Sequence, residues 1–391
     1  MRVKIRTVWV TGLGLLLVAI LLFGRLNTMQ PLSQPELGGP LPGLTDEQMQ
    51  RFLAGREVFE RVFTAETGLG PLFNSSSCAE CHEAPVAGGS GDESEVHATE
   101  FRPPATCDEL EGQGGPVFQQ HATPALEAAG IAKEQVPKNA QVGQRSTPPI
   151  FGFGLLDAIP EATILAHEHR SGGRAHRLED GRIGKFGRKA QVASLLEFNA
   201  GAFLQEQGIT NALNPSELLP NGHPLPPGTD PVPDPELSLE DLLLANDFVR
   251  FLAPPPPKQP ATRQEARAMG HGEGLFHRIG CATCHTPAMR TGHNPIVALD
   301  RQVIHLYSDL LLHDMGRDLA DICLGDAQPN EFRTAPLMGL RFRTGLLHDG
   351  RATTVLDAIQ LHGGQAARAR AAFEKLSTKD REALLTFLGS I

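Results

Sequence analysis

The chain has 391 residues, enough to bury two separate cores, and its formal net charge of −10 argues against nucleic acid as a partner. With 41 glycines and 31 prolines, the composition predicts much irregular backbone around short helices rather than long regular elements. An acidic surface of this kind suits either plain solubility or docking to a basic protein.

At the start of the chain, Arg2, Lys4 and Arg6 precede an almost unbroken apolar run over residues 8–24, and Arg25 follows at once. That pattern reads as an export signal. No small-x-small triplet precedes Arg25, so the reading favours an uncleaved anchor (1–25) over a removed signal peptide. Basic residues before the span place everything after it on the periplasmic side of a bacterial inner membrane; cleavage would instead leave a soluble periplasmic protein. A Pro- and Gly-rich tether follows, with residues 26–45 as linker and the folded body beginning at about 46. A second break, the proline run within 254–262, separates a first half (46–253) from a second (263–391).

The halves echo each other. Gly55-Arg56-Glu57-Val58-Phe59-Glu60-Arg61 precedes Cys78-Ala79-Glu80-Cys81-His82, and Gly272-Glu273-Gly274-Leu275-Phe276-His277-Arg278 precedes Cys281-Ala282-Thr283-Cys284-His285. Each half closes on a similar phrase, Leu237-Ser238 with Glu240-Asp241 and Leu376-Ser377 with Asp380, where Ser stands as an N-cap before an acid in the first turn. This predicts a duplicated domain. The first half carries about 80 extra residues between its shared ends.

Two thiols three residues apart followed by His are the attachment signature of haem c: one helical turn presents both sulfurs to the haem vinyl groups, and the adjoining imidazole reaches the iron. A zinc site would want its second Cys pair within about 20 residues, and here the pairs lie about 200 apart. A dithiol redox motif leaves both histidines unexplained. Cys78, Cys81, Cys281 and Cys284 are therefore expected to bind two covalent haems, with His82 and His285 as iron ligands.

For the opposite face of the second iron, His362 is the choice. A helix from Thr354 ends at Gly363-Gly364 and leaves this imidazole on its last turn, with Met315 as the competing ligand. Cys107 and Cys323 remain, one in each half; a disulfide is permitted in this compartment, but two buried free thiols are the favoured reading.

Several further segments carry a family resemblance: Leu72-Phe73-Asn74, Arg145-Ser146-Thr147-Pro148-Pro149-Ile150, Ala158-Ile159-Pro160-Glu161, the run from Tyr307 to Gly316, and His348-Asp349-Gly350-Arg351. Together with the haem motifs they resemble the bacterial di-haem oxidoreductases of peroxidase type over about residues 46–391, and more distantly the di-haem cytochrome c peroxidases and MauG-type enzymes. The resemblance implies a mainly α fold of two cytochrome c-like domains with long loops. It implies peroxide chemistry at the first haem and electron relay through the second, with His362 at the position of the relatives' second-haem ligand. Glu161 matches their distal glutamate, and His97 their removable sixth ligand, with Gly88-Gly89-Ser90-Gly91 supplying mobility. A small periplasmic electron donor of cytochrome c or cupredoxin type is implied, as is a structural calcium.

One departure matters. Positions where relatives commonly hold tryptophan are Arg188, Met338 and Leu361, and the only tyrosine is Tyr307, so direct haem-to-haem transfer is expected rather than an aromatic relay. Alternatives to a peroxidase are an oxidase or oxygenase on an organic or protein substrate, and an electron-transfer cytochrome without catalysis.

Overall fold

Thr45 opens the first helix, Asp46–Phe59, with a reciprocal cap: its hydroxyl accepts from the Gln48 N–H while the Gln48 side chain accepts from the Thr45 N–H. The buried Phe52, Gly55, Val58 and Phe59 recur at helical spacing and face the helix Leu239–Phe251, which Ser238 caps. The two backbones meet at Gly55, where a Cβ would stand 2.0 Å from the Leu244 carbonyl oxygen. In the second half the helix Arg263–Arg278 packs in the same way on Thr378–Leu388, capped by Ser377, and a Cβ on Gly272 would stand 2.1 Å from the Ala383 carbonyl oxygen. The repeated phrases in the sequence thus form a repeated crossed helix pair, and each pair leads into a one-turn helix, Cys78–Cys81 or Cys281–Cys284.

The computed structural model describes residues 35–104 and 106–391. Among them are twelve α-helices and four small antiparallel sheets of two or three strands. The mainly α expectation therefore needs correcting to a mixed architecture. The largest sheet lies in the extra residues of the first half: Ser94–Arg102 runs centrally between Thr106–Asp108 and Gln141–Ser146, with Glu95 opposite Arg145 and His97 opposite Gly143.

Residues 35–391 form one compact unit. Phe52, Phe59, Leu156, Ile159 and Phe248 of the first half share a continuous core with Leu299, Ile304, Leu306, Leu310 and Leu311 of the second, while Leu275, Phe276, Phe373, Leu384 and Phe387 build another. The proline run is tied to the end of the chain, the Lys258 N–H donating to the Ser390 carbonyl.

Two expectations change. The linker predicted over residues 26–45 is already inside the fold before its end: Leu41 is buried, its N–H donates to the Phe251 carbonyl, and Pro40 bridges Leu252. Cys107 and Cys323, read as free thiols, are joined in a disulfide with Cα atoms 5.8 Å apart, which ties the sheet of the first half to the fully buried Cys323 of the second. The proposed anchor at 1–25 lies outside the described residues. Among those described, no helix is long and apolar enough to cross a membrane.

Candidate active site

Ser77 starts the first one-turn helix by accepting from the Glu80 N–H, and His82 ends it. His82 Nδ1 donates to the Gly89 carbonyl at 3.2 Å, which fixes the ring and leaves Nε2 as the ligand atom. Burial pulls the His82 pKa below the ordinary value, so the ring is neutral and able to ligate. The segment 88–91 thus holds His82; the Gly88 N–H also donates to the His82 carbonyl.

His82, Cys78 and Cys81 open onto a cavity walled by Phe59, Ile150, Phe153, Phe198 and Val249. Its polar lining includes Glu95 and Glu206, brought by the sheet strand Ser94–Arg102 and the helix Leu195–Gln207. Burial and the neighbouring Glu95 charge raise the Glu206 pKa well above the usual carboxylate range, and Asn74 Nδ2 donates to its Oε2 at 2.9 Å. Burial also opposes ionisation of Glu95, but the hydrogen bond from His97 Nε2 at 3.0 Å and the positive charge of Arg188 outweigh it and keep Glu95 below that range. The surroundings thus push the two neighbouring carboxyls in opposite directions. Among the described residues, no histidine other than His82 and no methionine lines this cavity.

The second site is closed by a second imidazole. His285 Nδ1 donates to the Tyr307 carbonyl at 3.0 Å, and His362, the C-cap of the helix Val355–Leu361, donates from Nδ1 to the Ala358 carbonyl at 2.6 Å. The two rings lie 6.4 Å apart, centroid to centroid. Burial, with the facing His362, pulls His285 down to about 4. An imidazole–metal bond is about 2 Å long, so two imidazoles on opposite sides of one metal hold their centroids roughly 6 Å apart. Both Nδ1 atoms are engaged, which leaves two Nε2 atoms.

The profile of the family described as "Di-haem oxidoreductase, putative peroxidase" matches residues 121–391. The chain belongs to this family. Similar solved structures are hydrazine synthase of Kuenenia stuttgartiensis (14% identity, 100% of both chains, TM-score 0.42), a MauG-like protein associated with microbial copper homeostasis (16%, 93% of this chain and 94% of that one, 0.39), and the diheme peroxidase BthA of Burkholderia thailandensis (14%, 92% of both, 0.40). No curated protein sequence matches.

The described residues of this di-haem oxidoreductase fit two haems: each half offers a paired-thiol turn, an oriented neutral imidazole and apolar walls. Burial pushes Cys78 and Cys81 up to about 12 and Cys281 to about 11. Thiols so raised do not suit a dithiol redox couple, in which the thiolate is the attacking form.

The expectations for Glu161 and His97 fall differently. Glu161 does not line the cavity around His82; it starts the helix Glu161–Ser171 and accepts from the Ile183 N–H at 3.1 Å. His97 sits not in a mobile loop but buried on the central strand of a sheet, two residues from Glu95 and therefore on its face. Tyr307 serves His285 through its carbonyl, its ring packed edge-on to Phe276 and Phe387. For calcium, the acidic groupings Glu83–Asp92–Glu93 and Glu217–Asp230–Glu236 have only carboxylates to mark them. The Glu95–Glu206 pair was the residue set that sequence reasoning missed, and the acid-x-His alternation of Glu95 and His97 was the available signal.

Proposed function

We propose that this oxidoreductase reduces hydrogen peroxide to water at a haem joined covalently to Cys78 and Cys81 and ligated by His82. Electrons enter from a small periplasmic cytochrome or cupredoxin and pass through a second haem, joined to Cys281 and Cys284 and ligated by His285 and His362. The supporting observation is the asymmetry of the two sites: His362 faces His285, whereas a cavity lined by two carboxyls pushed in opposite directions, Glu206 up and Glu95 down, faces His82.

A bound haem supplies an iron that takes the peroxide oxygen and accepts electrons one at a time. The protein supplies the protons of the balanced reaction, in which peroxide, two protons and two electrons give two waters. Glu95 receives the proton of the incoming peroxide and Glu206 returns one to the departing oxygen, the division of labour expected of two carboxyls whose surroundings push their pKa values apart. His97 is a positioning residue for Glu95, and Asn74 for Glu206. Phe59, Phe153 and Phe198 keep bulk water from the cavity.

Stopped-flow mixing of half-reduced protein with hydrogen peroxide tests this. Wild type should oxidise rapidly, and Glu206→Gln or Glu95→Gln should slow that step about a hundredfold or more, the usual worth of a positioned acid or base. Glu161→Gln should react normally. Because Glu206 works protonated, the wild-type rate should fall as pH rises through its elevated pKa, and Glu206→Gln should lack that limb. Wild-type protein inert to peroxide in both oxidised and half-reduced states overturns the reading in favour of an oxidase.

A further inference from the structure

Three half-buried arginines, Arg188, Arg333 and Arg343, take no part in the mechanism above. Arg188 Nη2 donates to the Ser146 carbonyl at 2.6 Å, Arg333 Nε to the Gly187 carbonyl at 2.8 Å, and Arg343 Nη2 to the Pro336 carbonyl at 2.6 Å. All these protein acceptors are neutral. Among the described residues no carboxylate lies within salt-bridge distance, 4.0 Å, of any of the three, whereas the neighbouring Arg145 has Asp321. Arg333 Nη1 and Arg343 Nε are buried with no hydrogen-bond partner. A guanidinium stays charged in a protein, and an enclosed charge without a counter-charge is unfavourable. Desolvation pulls each group below its ordinary pKa, and the three repel one another, Arg188 acting on Arg333, Arg333 on Arg343 and Arg343 on Arg188. Each keeps some accessible surface, but protein encloses it on most sides.

Position says which anion belongs here. The Arg188 charge acts on His82 and Glu95. Arg333 pairs backbone with Arg188, its N–H donating to the Arg188 carbonyl, and the adjacent Thr334 N–H donates to Leu311 in the segment that follows Tyr307, the anchor of His285. Arg343 stands between Leu340 and Leu346, both in the core that holds Cys281 and Ala282. Thr344, the next residue, donates to the Gly91 carbonyl, and a Cβ on Gly91 would meet the Cys81 carbonyl oxygen at 2.1 Å. The cluster thus reaches both sites. A haem carries two carboxylates on one edge, and the forked guanidinium matches a carboxylate in geometry as well as charge.

We propose that Arg188, Arg333 and Arg343 bind the propionate edges of the two haems, Arg188 at the first and Arg333 between them, and thereby set both reduction potentials and hold the two haem edges toward each other. The proposal rests on haem binding at both motifs, which haem staining of the same samples on denaturing gels checks separately.

The test is spectroelectrochemical titration of the full-length holoprotein and its variants. Removing a nearby positive charge favours ferric iron. Arg188→Gln should therefore shift the oxidised-to-reduced ratio of the first haem about tenfold toward oxidised, which for one electron is a fall of about 59 mV. The second haem should move much less. Arg333→Gln should lower both. Arg333→Lys and Arg188→Lys keep the charge and should restore most of the lost potential, together with any lost haem loading; a merely structural role would not be rescued in potential by charge alone. Unchanged potentials in both Gln variants at full haem content, or Lys variants as far shifted as Gln, overturn the proposal. So does a wild-type holoprotein whose potentials respond to added inorganic phosphate, since the arginines would then be serving a free anion.

Discussion

In the first half Phe59 lies 6.2 Å from the ring of His82 and 4.8 Å from Phe248; in the second, Phe276 lies 6.4 Å from His285 and 5.5 Å from Phe387. The glycine crossing, the serine cap and the aromatic packing against the haem-motif histidine are thus the same in both. What differs is what faces that histidine. The helix carrying His362 follows directly on the His348-Asp349-Gly350-Arg351 segment and ends with its imidazole toward His285, whereas the first half brings a sheet strand and the end of a longer helix, and with them two carboxyls. A shared frame can therefore hold two haems of different reactivity, because the frame fixes one side of the iron and inserted or appended segments furnish the other.

The largest effect that separates the halves is loss of a haem. Cys78→Ser with Cys81→Ser should leave one covalent haem on a denaturing gel, and Cys281→Ser with Cys284→Ser should leave the other, each identified by the peptide that retains it. Two covalent haems in either double variant would break the correspondence between motif and site.

Next comes the ligand that makes the second half unlike the first. His362→Met should keep the second haem low-spin and raise its midpoint potential, since thioether ligation favours ferrous iron relative to imidazole. The first haem should be unmoved. An unchanged second potential would shift the ligand role to another side chain, with Met315 first in line.

How far the sequence carried these assignments follows from how local each signal is. Ser238, Ser377 and Thr354 are caps whose partners, Asp241, Asp380 and Asp357, lie three residues on, so a short window reveals them. The haem motifs are equally local, and the end of the His362 helix is announced by two glycines. Glu95 and Glu206 meet from segments more than a hundred residues apart, and only the short acid-x-His alternation at Glu95 marks either of them in the sequence. Burial and mutual charge, which give the pair its chemistry, exist only after folding. The same holds for Cys107 and Cys323, joined across 216 residues, and for Arg188, Arg333 and Arg343. Glu161 shows the opposite case: a short match located an acid, and at the helix start it occupies it accepts from the Ile183 N–H and is not among the residues that line the cavity.

The glycine crossings should respond alike. A methyl at Gly55 or Gly272 meets a carbonyl oxygen of the partner helix at about 2 Å in either half, so the helices must separate. Gly55→Ala and Gly272→Ala should each destabilise the protein by about 1–3 kcal/mol, the usual range for overpacking. Denaturant midpoints with unchanged slopes would show it. A cost in one half alone would mean that the second crossing is not under the same constraint.

The smallest effect is also the sharpest test of equivalence. Ser238 Oγ accepts from the Asp241 N–H at 3.1 Å and Ser377 Oγ from the Asp380 N–H at 3.2 Å, so replacing either serine by alanine leaves one helix-end donor without its partner. Each substitution should cost about 1 kcal/mol. The second cap has additional bonds: Ser377 Oγ donates to Asp380 Oδ2 at 2.8 Å, and the same aspartate accepts from His271 at 2.6 Å. Both groups are solvent-exposed, where such contacts contribute little, so they should not separate the two values measurably. The serines stand in different helix pairs without shared partners, and the double variant should therefore lose the sum of the single losses to within about 0.5 kcal/mol. Equal single losses that add would show the two closing helices to be energetically as well as geometrically repeated. A loss at Ser238 several times that at Ser377, or the reverse, would show that the surrounding segments, and not the repeated frame, set the stability of each half.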